Sequence, residues 1–336
     1  MSNEKMIICE RCGEEFKRAT DVKRHMAKKN PCEKKELITS ETLPPFLITK
    51  PVLKWVGGKT QIIDDVLALF PREMVNYHEP FLGGGSVLFA LLDHKKRGSI
   101  KVSGTVYASD LNSNLINLYK TLQTNVEELI AEITVFIREY DSAKTEEERE
   151  TYYYTVRNRF NNVVGPGRKM PRAAAMLIFL NKTGFRGMYR EGPNGLNIPF
   201  GHYANPGIAD AEHLRAVSVL LQGVVFTHCG FRESIAKVTS GDFMYLDPPY
   251  APADANSFVG YTADGFKEDD HKQLFTICDE KVTLGAKMLM SNADVILVKD
   301  AFKMPKYTTK IISCRRAINP KDPSKRANEV LVTGPN

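Results

Sequence analysis

Apolar residues in this chain fall into short continuous runs bounded by turn-forming residues and longer stretches with helical spacing. Seven short runs predict strands, at residues 76–79, 105–110, 223–228, 242–247, 286–291, 308–314 and 328–333. Runs this short and this apolar suit strands buried within a sheet. Helical patterning covers residues 62–70 and 87–92. Between residues 112 and 205 no strand pattern occurs, and stretches at 115–140, 146–163 and 171–181 predict helices. The pattern predicts an α/β protein carrying a mainly helical insertion. No run approaches the roughly 18 apolar residues of a membrane span. The amino terminus is polar and leads into no signal-like segment, so no membrane association is expected and the location is expected to be intracellular.

The run at 242–246 leads into Asp247-Pro248-Pro249-Tyr250. Open α/β sheets place their ligands at the carboxyl ends of strands. Two prolines fix φ twice and remove two N–H donors, leaving a rigid turn whose carbonyl oxygens still accept hydrogen bonds. A carboxylate, carbonyl acceptors and an aromatic face then suit a flat group carrying an amino donor. The same tetrapeptide also reads as an ordinary strand-to-loop turn.

Two further segments carry glycines. Lys54-Trp55-Val56-Gly57-Gly58-Lys59-Thr60 ends like a phosphate-binding loop, but that motif needs glycine where Leu53 stands and a buried strand before it. Glu79-Pro80-Phe81-Leu82-Gly83-Gly84-Gly85-Ser86 follows a short strand and opens a helix, as a ligand-approaching turn does. The dinucleotide fingerprint would place a third glycine at Leu88, so a nicotinamide cofactor is disfavoured. The strand at 105–110 ends in Asp110, which reads as a ligand of ribose hydroxyls, as the N-cap of the next helix, or as both.

These four pieces, in this order over about residues 53–333, resemble the Dam-type DNA adenine-N6 methyltransferases. The resemblance implies a seven-stranded Rossmann-like sheet with helices on both faces and an inserted helical target-recognition domain. The catalytic domain would comprise 51–118 and 206–336, and the insertion 119–205. S-adenosylmethionine would be contacted by Trp55, Lys59, Asp110 and Asp247, with Phe81 and Gly83 lining its pocket. The partner would be double-stranded DNA, and Asp247, Pro248, Pro249 and Tyr250 would hold a flipped adenine. On this reading Asp247→Ala abolishes transfer and leaves the fold intact.

The segment 181–205 mixes arginines, aromatics and glycines, as a nucleic-acid surface or a self-packed loop would. By resemblance Arg190 reads guanine, Phe185 and Arg186 wedge into the duplex, and Met188 and Pro199 touch thymine. Lys54 meets a base, while His202, beside Tyr203, stands where an arginine usually grips phosphate. A GATC-like site follows as the expectation. The resemblance leaves room for a companion restriction endonuclease. RNA or cytosine-N4 methylation, and a noncatalytic DNA-binding regulator of the same fold, are the alternatives. The loop 251–265, with Phe258 and Tyr261, reads as a lid, and 315–326 as a phosphate-touching or solvated hairpin tip.

Charge and cysteines single out the first tenth of the chain. Residues 1–36 hold ten Lys or Arg against seven Asp or Glu, half of the net +6. Cys9, Cys12, His25 and Cys32 have the C-x2-C-x12-H-x6-C spacing of a zinc site, with Phe16 and Val22 at the core positions of a small ββα module. A finger of residues 1–36 and a linker of 37–50 are expected, the metal supplying stability that so short a segment lacks. Docked like DNA-reading fingers, it would turn Arg18, Asp21 and Arg24 to bases. A finger that contacts protein or merely tethers stays equally open.

Overall fold

The computed structural model describes residues 7–8, 15–16, 18–26, 50–163, 167, 170–252, 265–315 and 326–335. The chain divides into two compact units, Met1–Phe46 and Leu47–Asn336. In the first, Ile7–Ile8 pairs antiparallel with Glu15–Phe16, and the helix Ala19–Met26 follows. The Phe16 and His25 rings lie 4.9 Å apart, and Arg18 Nε donates to Asp21 Oδ2 at 3.0 Å. Cys9, Cys12 and Cys32 lie outside the described residues, among which no group of His, Cys, Asp and Glu is set to hold a metal.

The second unit is built on strands β1 (Tyr77–Glu79), β2 (Val106–Asp110), β3 (Val224–His228), β4 (Phe243–Leu246), β5 (Lys287–Ala293), β6 (Thr308–Arg315) and β7 (Arg326–Gly334). They form one sheet in the order β6-β7-β5-β4-β1-β2-β3. The strands from β5 to β3 in that order are parallel, whereas β7 runs antiparallel between β5 and β6. Each predicted run is one of these strands. The chain leaves β1 toward β2 and β3 on one side and returns to β4 on the other. The carboxyl ends of β1 and β4 therefore flank the crevice where such sheets bind ligands.

Alternate residues of the central strands enter two cores, as a period of two requires. Phe243 and Tyr245 join a core with the helices α1 (Ile63–Leu67), α2 (Ser86–Lys96) and α3 (Ser113–Thr124). Met244 and Leu246 face the opposite way, and Phe231, Leu274, Cys278 and Val282 from the helices following β3 and β4 cover that side. Helices thus lie on both faces of the sheet.

Between β2 and β3 the chain adds α4 (Val126–Ser142), α5 (Glu146–Asn162), α6 (Pro171–Thr183) and α7 (Ala211–Leu220). α6 starts with Pro171, whose fixed φ and missing N–H suit a first helical turn. Every residue from Ala173 to Thr183 is buried, because α3, α4 and α5 all pack on α6. α5 begins with a capping box in which Thr145 and Glu148 exchange side-chain and backbone hydrogen bonds.

Two expectations need correction. The helical stretch at 115–140 is two helices, separated at Asn125, whose φ of −137° and ψ of 40° leave the helical region. Asp110 does not cap α3; Asn112 does, accepting from the N–H groups of Asn114 and Leu115.

Candidate active site

Lys59 joins the two halves of the crevice. It opens a short 3-10 turn, Lys59–Ile62, and its backbone N–H donates to Ser86 Oγ, the first residue of α2, at 3.2 Å. Its ammonium donates to the Gly57 carbonyl and to Asp247 Oδ2, each at 2.6 Å. The side chain is 4% exposed, against 20% for Asp247. The helix start after the glycine turn and the Asp-Pro-Pro-Tyr turn after β4 are thereby held to one residue, the first by its backbone and the second by its ammonium.

Tyr250 lies beside this pair, its ring centroid 5.2 Å from the Lys59 ammonium. Its hydroxyl donates to Glu329 Oε2 at 2.8 Å, and the Ala251 N–H donates to Asn292 Oδ1 at 3.0 Å. Glu329 on β7 and Asn292 on β5 therefore brace the turn from the antiparallel side of the sheet. Burial raises the Asp247 carboxyl above the usual range, Lys59 pulls it back, and Glu329 pushes it up again.

Across the crevice, Gly83 and Gly85 have φ of 48° and 72°, values that glycine adopts without strain. The loop rests on Trp55: a Cβ at Gly84 would stand 2.8 Å from the Trp55 Cβ. Asp110 at the end of β2 accepts from the Gly83 N–H at 2.9 Å and the Asn112 N–H at 2.8 Å. The Tyr119 hydroxyl donates to the Gly83 carbonyl at 3.0 Å. Phe81 stacks on Phe231 at 5.9 Å.

Glu79, 2% exposed, accepts from the Tyr77 hydroxyl at 2.7 Å. Burial pushes its carboxyl up to about 8, with the Tyr77 hydrogen bond opposing and the charges of Asp247 and Asp110 adding. Asp110 and Asp247 thus share one locale with a Glu79 carboxyl that is largely protonated at neutral pH, and a positively charged ligand would favour its ionised form.

The segment after α6 folds back on Lys54. Asn181 Oδ1 accepts the Lys54 N–H at 2.8 Å, and its Nδ2 donates to the Lys54 carbonyl at 2.8 Å and to the Gly187 carbonyl at 2.9 Å. Gly187 has φ of 62°, and a Cβ there would come within 2.5 Å of the Lys54 Cβ. The Lys54 ammonium sits 4.6 Å over the Tyr203 ring, whose hydroxyl accepts the Arg186 N–H at 2.7 Å. Arg186 takes φ of 55°, with its guanidinium 5.3 Å from the ring of Phe185, which is 43% exposed. Arg190 is exposed, and its Nε donates to Asn197 Oδ1 at 2.8 Å across the hairpin of Glu191–Gly192 with Gly195–Leu196. The Pro199 carbonyl accepts the Phe185 N–H at 2.9 Å, and Met188 is half-buried against the core.

His202 faces a carboxylate, with Nδ1 at 2.7 Å from Glu146 Oε1. Both side chains are exposed, so the imidazole also stays open to solvent. Residues 253–264 and 316–325, read as a lid and a hairpin tip, lie outside the described residues. Sequence reasoning missed Asn292 and Glu329 as parts of the site, and it placed Glu79 and Ser86 in the glycine turn without assigning either a role. The pairing of Glu79 could have been found, since Tyr77 and Glu79 lie two apart on a strand and share a face. Asn292 and Glu329 carry no local signal, for they meet the turn only through sheet order.

The family profile described as D12 class N6 adenine-specific DNA methyltransferase matches residues 55–318. The type II methyltransferase M.MjaIII of Methanocaldococcus jannaschii is 38% identical over 252 residues, covering 73% of this chain and 84% of that protein. The retron Ec67 DNA adenine methylase of Escherichia coli is 31% identical over 285 residues, covering 83% and 90%. The DNA adenine methylase of Escherichia coli strain K12 is 29% identical, covering 83% and 93%. Among solved structures, an rRNA methyltransferase from Streptomyces viridochromogenes covers 89% of the chain at 14% identity and a TM-score of 0.33, too distant to bear on the site. With most of the chain inside the profile and relatives aligned nearly end to end, the chain belongs to the D12 class of N6 adenine-specific DNA methyltransferases.

Proposed function

We propose that this adenine-specific DNA methyltransferase takes its methyl group from S-adenosylmethionine and delivers it to the N6 of an adenine flipped from duplex DNA, in a GATC-like site. The observation carrying this reading is the cluster of Lys59, Asp247 and Tyr250 tied to the glycine turn through Ser86. The residues fit the donor. The half-buried Asp110 suits ribose hydroxyls, the Phe81 ring an adenine face, and the acidic lining a sulfonium. When bound, S-adenosylmethionine supplies an electrophilic methyl group.

The target nitrogen is a poor nucleophile because its lone pair is delocalised into the ring. Asp247 and the Pro248 carbonyl would accept hydrogen bonds from its two N–H groups and favour a more tetrahedral nitrogen aimed at the methyl group; transfer would leave the sulfur as a neutral thioether and pass the surplus N6 proton to Asp247 or solvent. Positioning and electrostatics carry such a transfer. Asp247 starts out bonded to Lys59, so the incoming amino group either shares or displaces that contact. Extruding the base costs a few kcal/mol. Stacking on Tyr250 returns about 1–3 kcal/mol, and the hairpin decides the balance.

The site preference rests on Arg190, Met188, Pro199 and Lys54 matching the family's base-contacting positions, with residues 119–205 as the target-recognition insertion. Zinc at Cys9, Cys12, His25 and Cys32 is part of this reading and rests on their spacing in the sequence. A companion restriction endonuclease, blocked by this methylation, belongs to the same reading. The test is methylation of a random duplex library with S-adenosylmethionine, followed by mapping of modified adenines. Label should concentrate in one GATC-like context, and Arg190→Ala should lose about 1–3 kcal/mol of discrimination at one base pair. Equal methylation of all single-base variants by the wild type would refute the assignment.

A further inference from the structure

The last turn of α6 carries a cation that its surroundings do not neutralise. Lys182 is 9% exposed, enclosed by the packing that buries Ala173 to Thr183 except where it lines a cleft. It has no hydrogen bond or ion pair among the described residues, and the charges acting on it are two more cations, Lys50 and Lys54. All three lysines line one cleft of about 500 Å3, together with Trp55, Gly84 and Asn205, and no Asp or Glu lines it. Burying an ammonium without a counter-charge is costly, so an anion from outside would complete this arrangement.

The cleft is fixed relative to the proposed DNA surface. Asn181, next to Lys182, holds the Lys54 backbone from both sides and the Gly187 carbonyl, so the buried amine keeps register with the hairpin. Trp55 and Gly84 in its wall belong to the seat of the glycine turn. A strand that meets the hairpin with its bases would pass its backbone between these two elements.

We propose that the cleft beside Lys50 and Lys182 binds one phosphodiester of the substrate DNA, with Lys182 as the buried counter-charge and Lys54 left to its base. This subsite rests on the functional reading above and deepens it. It supplies affinity that is independent of base sequence, since phosphate contacts position a protein on the duplex without reading it.

A supporting property is the state of the free amine. Burial first, then Lys50 and Lys54, lowers the Lys182 pKa to about 8. The neighbouring His213 is also held low by burial, with Asp210 opposing and Lys50 and Lys182 adding. A phosphodiester beside Lys182 favours its protonated form, so DNA binding should take up a proton and weaken as pH rises through 8.

The experiment measures binding of the full chain to a duplex by anisotropy over a range of salt and pH, for wild type, Lys182→Met and Lys182→Arg. In Lys182→Met the slope of log affinity against log salt should become shallower by about 0.9, the value for one phosphate contact. Its preference for the methylated site over single-base variants should stay unchanged, and the loss of affinity between pH 7 and 9 should flatten. Lys182→Arg should restore the slope. Because Met replaces an unpaired buried charge, that variant should melt no lower than wild type. An unchanged salt slope in a natively melting Lys182→Met overturns the proposal. So does weakened S-adenosylmethionine binding without DNA, which would assign the cleft to the donor's carboxylate, or competition by inorganic phosphate with no effect on the DNA slope. Failure of the wild type itself to bind duplex would instead sink the functional reading.

Discussion

Lys59 and Asp247 depend on each other, and this changes what a substitution at either should do. Removing one partner of a buried pair leaves the other charge uncompensated. Asp247→Ala should therefore abolish methyl transfer and also cost about 3 kcal/mol of stability, the low end for such pairs, because Asp247 is 20% exposed. From sequence alone no such penalty is expected, since 188 residues separate the two. Urea unfolding of Asp247→Ala and of the double variant Lys59→Met, Asp247→Asn checks it: the double variant should recover stability and stay inactive. Glu79 gives a pH signature. Its carboxyl titrates near 8 in the folded chain and near 4.3 when unfolded, so stability present below 4.3 is lost as pH rises toward 8. Between pH 5 and 8 the melting temperature of the wild type should fall more steeply than that of Glu79→Gln; parallel curves would contradict the neutral buried acid.

At the level of elements, the antiparallel strand β7 does more than close the sheet edge. It delivers Glu329 to the Tyr250 hydroxyl, 79 residues away in sequence, while β5 delivers Asn292 to the Ala251 N–H. Glu329→Ala should release the Tyr250 ring and lower kcat about tenfold, the worth of roughly 1.4 kcal/mol in the transition state. Donor affinity should hold, and Glu329→Gln, which keeps an acceptor, should retain most activity. 2-Aminopurine at the target position reports base extrusion directly, and an unchanged signal in Glu329→Ala would show that the ring needs no brace. The central strand β4 is legible as an apolar run because burial on both faces leaves no room for polar residues, whereas at the edge strand β6 only Ile312 is buried among the described side chains. The order of the strands is not legible, since it is set by contacts between distant segments, and Glu329 and Asn292 are invisible for that reason. The break at Asn125 escapes because apolar spacing continues across it through Leu122, Val126 and Leu129 while the backbone turns. Asp110 misleads as a cap because Asn112, two residues on, is the better-placed acceptor for the first N–H groups of α3.

On the scale of the whole chain, two compact units divide at about residue 46. The family profile begins at residue 55, so the enzyme's recognisable machinery lies within Leu47–Asn336. The unit Met1–Phe46 has only short paired segments and one eight-residue helix among its described residues. Elements this short bury too little surface to stand alone, and small domains of this size generally need a metal, disulfides or a partner. The cysteine spacing makes the metal the proposal to test. Zinc analysis of the full chain should give about one ion per molecule, lost in Cys9→Ser, while the separately cored catalytic unit keeps its melting transition. If the finger acts as a tether, a chain starting at residue 47 should methylate the same adenines with a higher KM for DNA and a shallower salt dependence, its donor affinity unchanged. A changed map of modified adenines would instead make the finger a reader of bases, with Arg18 drawn from its pairing with Asp21 to reach them.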